Sequence, residues 1–197
     1  MKMRQEKDHL TSRDLQAIET KKRIIDTALN TIRDNGYEKT SVKQICKGAQ
    51  ITVGTFYHYF ESKEMLILQL LPKIEDYYET RKKELEQEAA PEKIRDYFAY
   101  LIDYPFEEYI DLLPPVMKSE EAVKIIDQNR LEVILNLVEE GQQKGSITME
   151  YDAKFMAEAL LYSVRGLFIR WIMVKDDFDY RTHAHLAVNL LIDKFKA

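Results

Sequence analysis

One cysteine, five prolines and six glycines in 197 residues leave this chain few cross-links and few stops. The single Cys46 cannot close an internal disulfide, which excludes the small cross-linked secreted scaffolds and fits a reducing compartment. No apolar run reaches the roughly 18 to 20 residues that a membrane span requires. The N-terminal MKMRQEKDHL lacks the hydrophobic stretch of an export signal, so a cytoplasmic protein is expected. Histidine is scarce: His9, His58, His183 and His185 are all there are. His183 and His185 are two residues apart and point to different helix faces, which makes them poor joint metal ligands. Cys46 lies on an apolar stripe, where a buried thiol is more at home than a nucleophile. With no Gly-rich phosphate loop and no clear carboxylate pair, neither an enzyme nor a metal or cofactor is expected.

What the chain has is helix. Apolar positions Ile24, Ile25, Ala28, Leu29 and Ile32 follow helical spacing from a possible cap at Thr20 to a stop at Asn35-Gly36, with residues 12–19 either extending this helix or forming a mobile arm. Thr40 or Ser41 caps a short second helix striped by Val42, Ile45, Cys46 and Ala49. Thr52 caps a third, very short one reaching about Tyr59. Ser62 opens a fourth to about Glu88, with Met65, Leu66, Leu68, Leu71, Ile74, Tyr77 and Tyr78 inward and Pro72 expected to kink or split it. Pro91 suits the first turn of a helix to about Asp103, and Pro105 and Pro114-Pro115 bracket a short piece. Three more helices follow: Ser119–Lys144, Asp152–Val174 and Arg181–Phe195. The fold class is therefore all-α, with about nine helices.

Charge divides unevenly along the chain. Residues 1–63 carry 12 Lys/Arg against 8 Asp/Glu, a net of +4, while residues 64–197 carry 17 against 26, a net of −9. A basic end on an acidic body suits contact with a polyanion, although two ordinary solvated surfaces would look the same.

The stretch TVGTFYHYFESK, residues 52–63, is the densest signal. Helices two and three have the dimensions of a helix-turn-helix. On a helix, Phe56 and Phe60 share one face and can pack inward, whereas Gly54, Tyr57 and His58, at i, i+3 and i+4, share another. A glycine at the centre of that polar-tipped face lets the backbone approach another surface closely. Tyr57 and His58 can donate to phosphate oxygens, and free N–H groups at a helix N-terminus attract phosphate. Thr52, Val53 and Thr55 occupy the end that meets base edges, and Lys63 supplies a flanking cation. The plainer alternative is that Tyr57 and His58 are half-buried residues of a helical corner.

Residues 20–67 closely resemble the DNA-binding domain of TetR-family transcriptional regulators. The resemblance runs through Asn35-Gly36-Tyr37, Thr40-Ser41-Val42, Ile45-Cys46-Lys47-Gly48-Ala49, Val53-Gly54-Thr55-Phe56-Tyr57-His58-Tyr59-Phe60 and Ser62-Lys63-Glu64. It implies an N-terminal helix-turn-helix domain, residues 1–63, and a ligand-binding and dimerisation domain, residues 64–197. It also implies a homodimer on double-stranded palindromic operator DNA, most often a repressor released by a small, largely apolar effector. Family position makes Thr40, Thr52, Val53, Thr55, Tyr57, His58 and Lys63 the DNA contacts. Gln50 stands where relatives often have Gly, so the turn must tolerate an unusual backbone or shift. Val53 replaces a commonly polar residue, so readout there would be apolar. A helical protein-interaction module with little specific DNA binding is the alternative.

In the C-terminal domain, Ala159, Ser163 and Gly166 form a small-residue face suited to close helix contact, either between subunits or within one. Tyr100, Tyr104, Tyr162, Arg165 and Trp171 are the candidates for a ligand pocket, drawn from a larger pool of aromatics that also serve the core. Arg165 either anchors an anionic ligand or pairs with a carboxylate other than Glu158, seven residues away. Rings near Asp103, Glu107 or Glu158 would instead suit a lipophilic cation.

Overall fold

The computed structural model describes residues 11–70, 81, 85–105, 110–174 and 177–197. The chain divides into two compact units, Met1–Leu70 and Leu71–Ala197. Among the described residues there are nine α-helices, and the only strand-like pairing is an isolated bridge between Ile147 and Lys196.

The first unit begins with α1, Ser12–Asn35. Its start is a capping box at Thr11: the Thr11 hydroxyl oxygen accepts from the Asp14 N–H, and the Asp14 carboxylate accepts from the Thr11 N–H. The expected cap, Thr20, is therefore an interior residue, and residues 12–19 extend the helix. Ile24, Ala28 and Ile32 form its buried stripe. The helix stops where Gly36 takes a φ of 82°, a value that few side chains tolerate. Ser41 caps α2, Val42–Gly48, through a second capping box with Gln44. Ile45, Cys46 and Ala49 are buried along the expected stripe. A Cβ on Gly48 would lie 2.7 Å from the Thr27 methyl, so α1 and α2 meet at a glycine.

The turn after α2 holds the strained residue that the sequence raised. Gln50 has φ 54°, and the Ile51 N–H reaches back across it to the Cys46 carbonyl at 3.0 Å. The Arg23 Nε donates to the Ala49 carbonyl at 3.2 Å, tying this turn to α1. Thr52 then caps α3, Val53–Tyr59, and Ser62 caps α4, Lys63–Ile67, which passes into a 3₁₀ turn at Leu68–Leu70. The expected continuation through Leu71, Pro72, Ile74, Tyr77 and Tyr78 lies outside the described residues, as does His9.

The second unit is a closed ring of four helices. These are α5 (Ala90–Ile102), α7 (Glu120–Gln143), α8 (Ala153–Val174) and α9 (Tyr180–Phe195). Each packs on two others in the order α5, α7, α8, α9 and back to α5, and the short α6, Leu113–Lys118, lies against α7 and α8. Of the short helical piece expected between Pro105 and Pro114-Pro115, residues 110–112 form a 3₁₀ turn and 106–109 lie outside the described residues. Pro114 and Pro115 themselves fall in the first turn of α6, where their missing N–H groups and fixed φ are tolerated. Ser119, Asp152 and Asp179 cap the three long helices. The core comes from Ile94, Tyr97 and Phe98 of α5, Ile134 of α7, Leu160 and Ile172 of α8, and Ala184 of α9.

One close approach in this ring is at Gly141 of α7. A Cβ there would lie 2.6 Å from the Ile147 Cδ1 and 2.8 Å from the Ala90 Cβ. Gly141→Ala should therefore destabilise the fold by about 1–3 kcal/mol through overpacking, net of helix propensity that alone favours alanine by about 1 kcal/mol. Denaturant unfolding checks this, and a stabilised variant would contradict the packing.

Candidate functional site

Seven residues make a helix too short to persist alone in water, so α3 stands only because its inner face is buried. Phe56 has no exposure and Phe60 almost none, with their rings 5.7 Å apart. The Phe56 ring also meets the Tyr57 ring edge-on at 5.5 Å, which steadies the tyrosine without covering it. The Thr52 hydroxyl caps the Thr55 N–H at 3.0 Å and lies 2.8 Å from the Thr55 hydroxyl.

The outer face is thereby presented. Thr52, Val53, Gly54, Tyr57 and His58 are exposed, Val53 at 39% and Tyr57 at 53%. A Cβ added to Gly54 would meet only the Thr52 hydroxyl, at an ordinary 3.7 Å. The glycine is thus not required by packing inside the chain. Thr55 is half-buried, with its hydroxyl turned to Thr52.

Two expected members of this face are placed differently. Thr40 is 2% exposed, and its hydroxyl donates to the Gly36 carbonyl at 2.9 Å. It secures the chain between α1 and α2 and is not on the surface. Lys63 is half-buried, with its ammonium donating to the Tyr37 and Thr40 carbonyls at 2.7 Å each and lying 3.8 Å from the centre of the Tyr37 ring. The Tyr37 and Thr40 carbonyls capture the cation expected on the flank, the Tyr37 carbonyl also accepting from the Thr40 N–H at 3.2 Å.

The Tyr37 hydroxyl donates to Glu64 beside this lysine. Burial by itself would raise the Glu64 pKa. The hydrogen bonds from Tyr37, its own backbone and Ser62, with the nearby Lys63 charge, bring it below the ordinary glutamate value. A lowered folded-state pKa stabilises above the ordinary glutamate range, and that stability is lost as pH falls through the folded pKa. Tyr37 itself is raised, first by burial and then by Glu64. Cys46 is raised by burial, as suits a buried protonated thiol.

The second unit contains a cavity open to solvent, walled by α5, α6, α7, α8 and the start of α9. Phe98, Leu101, Met117, Leu161 and Phe168 supply apolar wall, and Asp127, Arg130, Arg165 and Tyr180 supply the polar points. Arg165 hydrogen-bonds Asp127, a carboxylate other than Glu158. Of the five expected pocket residues, only Arg165 lines this cavity. Tyr162 is exposed on the outer side of α8, beneath the Arg165 guanidinium at 5.7 Å. Trp171 stacks on Tyr180 at 5.3 Å and so backs the wall. Tyr100 and Tyr104 are half-buried elsewhere on the unit. Asp103 is held by His185 at 2.9 Å and Glu158 lies 3.8 Å from Lys154, so neither serves the cavity, and Glu107 lies outside the described residues.

Arg130 was not anticipated, although its signal is present. It sits four residues after Ile126 and four before Ile134, a charge on the inward stripe of α7.

The N-terminal geometry now meets independent comparisons. Residues 24–70 match the family model of bacterial regulatory proteins of the tetR family. These residues carry the DNA-binding domain of TetR-family transcriptional regulators. The likeness extends beyond the matched domain. The fatty acid metabolism regulator protein of Bacillus subtilis (strain 168) is 24% identical over 178 residues, covering 86% of this chain and 92% of that relative. The crystal structure of Bacillus subtilis FadR in complex with stearoyl-CoA superposes with TM-score 0.62 at 23% identity, covering 86% of this chain and 96% of that one. Thermus thermophilus FadR in complex with lauroyl-CoA gives TM-score 0.69 at 21% identity, covering 87% and 93%. At these identities the two superpositions establish the shared TetR fold. Among the described residues no helix is long and apolar enough to cross a membrane, and no cluster of His, Cys, Asp and Glu has the make-up of a metal site.

Tyr37→Phe should destabilise the DNA-binding unit by on the order of 1 kcal/mol at pH 7, the ordinary worth of a hydrogen bond. The difference should shrink as pH falls through the folded pKa of Glu64. Unfolding titrations of both proteins at neutral and acid pH check this, and a difference independent of pH would detach the bond from Glu64.

Proposed function

We propose that this protein is a TetR-family, ligand-responsive repressor that binds a palindromic operator as a homodimer through α3 and is released by a small, largely apolar molecule. The outer face of α3 carries this reading. It is exposed, it is centred on a glycine that internal packing does not demand, and Tyr57 and His58 flank that glycine. Helix backbone can therefore approach a DNA strand at Gly54, with Tyr57 and His58 donating to phosphates and Thr52, Val53 and Thr55 nearest the base edges. Val53 offers its methyls to a thymine methyl. Thr40 and Lys63 contribute by shaping the connection that α2 and α4 leave from.

Dimerisation is supported by an unpartnered apolar surface. Phe155, Tyr162, Met173 and Val174 of α8 and Leu186 and Leu190 of α9 are exposed, with Leu190 at 62%. Gly166 lies among them, and a Cβ there would meet nothing within 4 Å. With Ala159 and Ser163 it gives α8 a low-relief strip against which a second copy can pack. Two-fold pairing presents two copies of α3 to half-sites roughly 34 Å apart, which is why the operator is palindromic. The cavity is the effector site on this reading. Occupancy of a space bounded by five helices favours one arrangement of the ring over another and so changes operator affinity.

Gly54→Ala separates recognition from folding. Alanine should leave the unfolding midpoint equal or higher, since it favours helix by about 1 kcal/mol over glycine. Duplex binding should nevertheless weaken at least about tenfold for all sequences, a loss of about 1.4 kcal/mol. Tyr57→Ala should act in the same way, whereas Thr55→Ala should also alter sequence preference. Fluorescence anisotropy at several salt concentrations measures this, and variants that all bind like the parent would remove α3 from the interface.

Leu190→Lys tests the pairing. It should produce monomers at micromolar concentration in sedimentation experiments, with the helical content of each chain kept. An unchanged oligomer would place the interface elsewhere.

A further inference from the structure

The cavity holds an imbalance of charge that its own residues do not resolve. Two guanidinium groups, Arg130 and Arg165, and one carboxylate, Asp127, line it. Asp127 is committed to Arg165. Among the described residues Arg130 makes no hydrogen bond or close ion pair, and Asp127 and Arg165 act on it only through their charges, in opposite directions. It lines the cavity and retains some accessible surface, and the crowding of protein atoms around its guanidinium lowers its pKa. The Tyr180 hydroxyl beside it is kept neutral by burial and offers no counter-charge.

An unpaired cation enclosed by apolar side chains is unfavourable, and its attraction to an anion is strengthened by the same low dielectric. A neutral apolar molecule filling the space would bury Arg130 further with nothing to balance it. A lipophilic cation would be repelled. An apolar chain carrying one negative group would satisfy both the walls and the guanidinium.

We propose that the cavity takes an alkyl chain with an anionic head, the head bound by Arg130 and the chain laid against Phe98, Leu101, Leu161 and Phe168. Two sources share this chemistry: a free fatty carboxylate, whose single charge equals the one left uncompensated, and the phosphates of an acyl thioester of coenzyme A. The assignment of the head rests on the reading of this cavity as the effector site.

The only tryptophan of the chain reports on occupancy, because Trp171 stacks on Tyr180 and its ring lies 5.9 Å from that of Phe168, both cavity residues. The full-length protein is titrated below micellar concentrations with dodecanoate, 1-dodecanol, dodecyltrimethylammonium and lauroyl-CoA. Trp171 fluorescence is followed in the parent, Arg130→Met and Arg130→Lys. Dodecanoate should bind the parent at least tenfold more tightly than Arg130→Met, with Arg130→Lys recovering part of the loss, while 1-dodecanol is indifferent to the substitution. Lauroyl-CoA showing this dependence with dodecanoate silent supports the anionic anchor and assigns the head to a phosphate. Equal binding of dodecanoate and 1-dodecanol to the parent, tighter binding of the cation, or dodecanoate affinity unchanged in Arg130→Met would each overturn the proposal.

Without ligand, Arg130→Met should melt at or above the parent temperature, since it removes an unpaired enclosed charge. A much lower melting temperature would mean that Arg130 is a structural residue and would count against the anchor. Operator affinity separates the two readings. Release by 1-dodecanol but not by dodecanoate keeps the effector site and rejects the anionic head. Arg130-dependent binding of dodecanoate that leaves operator affinity unchanged keeps the head and rejects the effector reading.

Discussion

Everything the first unit presents to its surroundings depends on the burial of Phe56. A helix of seven residues has too few internal hydrogen bonds to hold itself, so its orientation is borrowed from what its inner face packs against. Phe56 is fully buried between α3 and its neighbours, Phe60 closes the end of the same face, and the Thr52 cap fixes where the helix begins. Given those three constraints, the rotation of α3 leaves no freedom to Tyr57 and His58, which must emerge on the other side beside Gly54. The strained turn belongs to the same economy of length. Gln50 adopts a backbone that glycine would take more readily, because the chain must reverse within a few residues to bring α3 onto α2.

The second unit solves a different problem. Its four long helices close into a ring whose core is apolar, yet the ring leaves a space and aims a guanidinium into it. A bundle selected only for stability would have an apolar residue at Arg130, since an enclosed charge without a partner opposes folding. Cavity and charge are explained together when something else occupies both. α8 serves two surroundings at once. Leu161, Val164 and Phe168 face the cavity, while Tyr162 and Gly166 face outward, and Arg165 pairs inward with Asp127 while its guanidinium lies over the outward Tyr162.

How much of this was legible varies with the range of the interaction. The caps at Ser41, Thr52, Ser62, Ser119 and Asp152 are readable because a capping hydrogen bond joins residues two or three apart. The Thr11–Asp14 pair carries a stronger capping pattern than Thr20, and it is where α1 begins. Among the candidate DNA contacts, the four exposed on α3 and the exposed cap Thr52 follow from helical periodicity and capping. Thr40 and Lys63 do not, because their partners lie on other elements: Gly36 for the threonine hydroxyl, and the Tyr37 and Thr40 carbonyls for the lysine. The pocket was the least readable part. Tyr100, Tyr104, Tyr162 and Trp171 are marked in the sequence only by being aromatic, and an aromatic residue serves a core, a cavity wall or an outer face equally well.

The sequence by itself determined the all-α class, the helix-turn-helix and the division of α3 into a packed face and a free one. These rest on periodicity, capping and glycine placement, which act within one or two turns of helix. Only the tertiary structure decided that Lys63 is held by backbone carbonyls, that Asp127 belongs to Arg165, and that Arg130 is left over in an apolar space. Those outcomes depend on which helices become neighbours across dozens of residues, and charge pairing in a low-dielectric interior is set by that neighbourhood and not by distance along the chain.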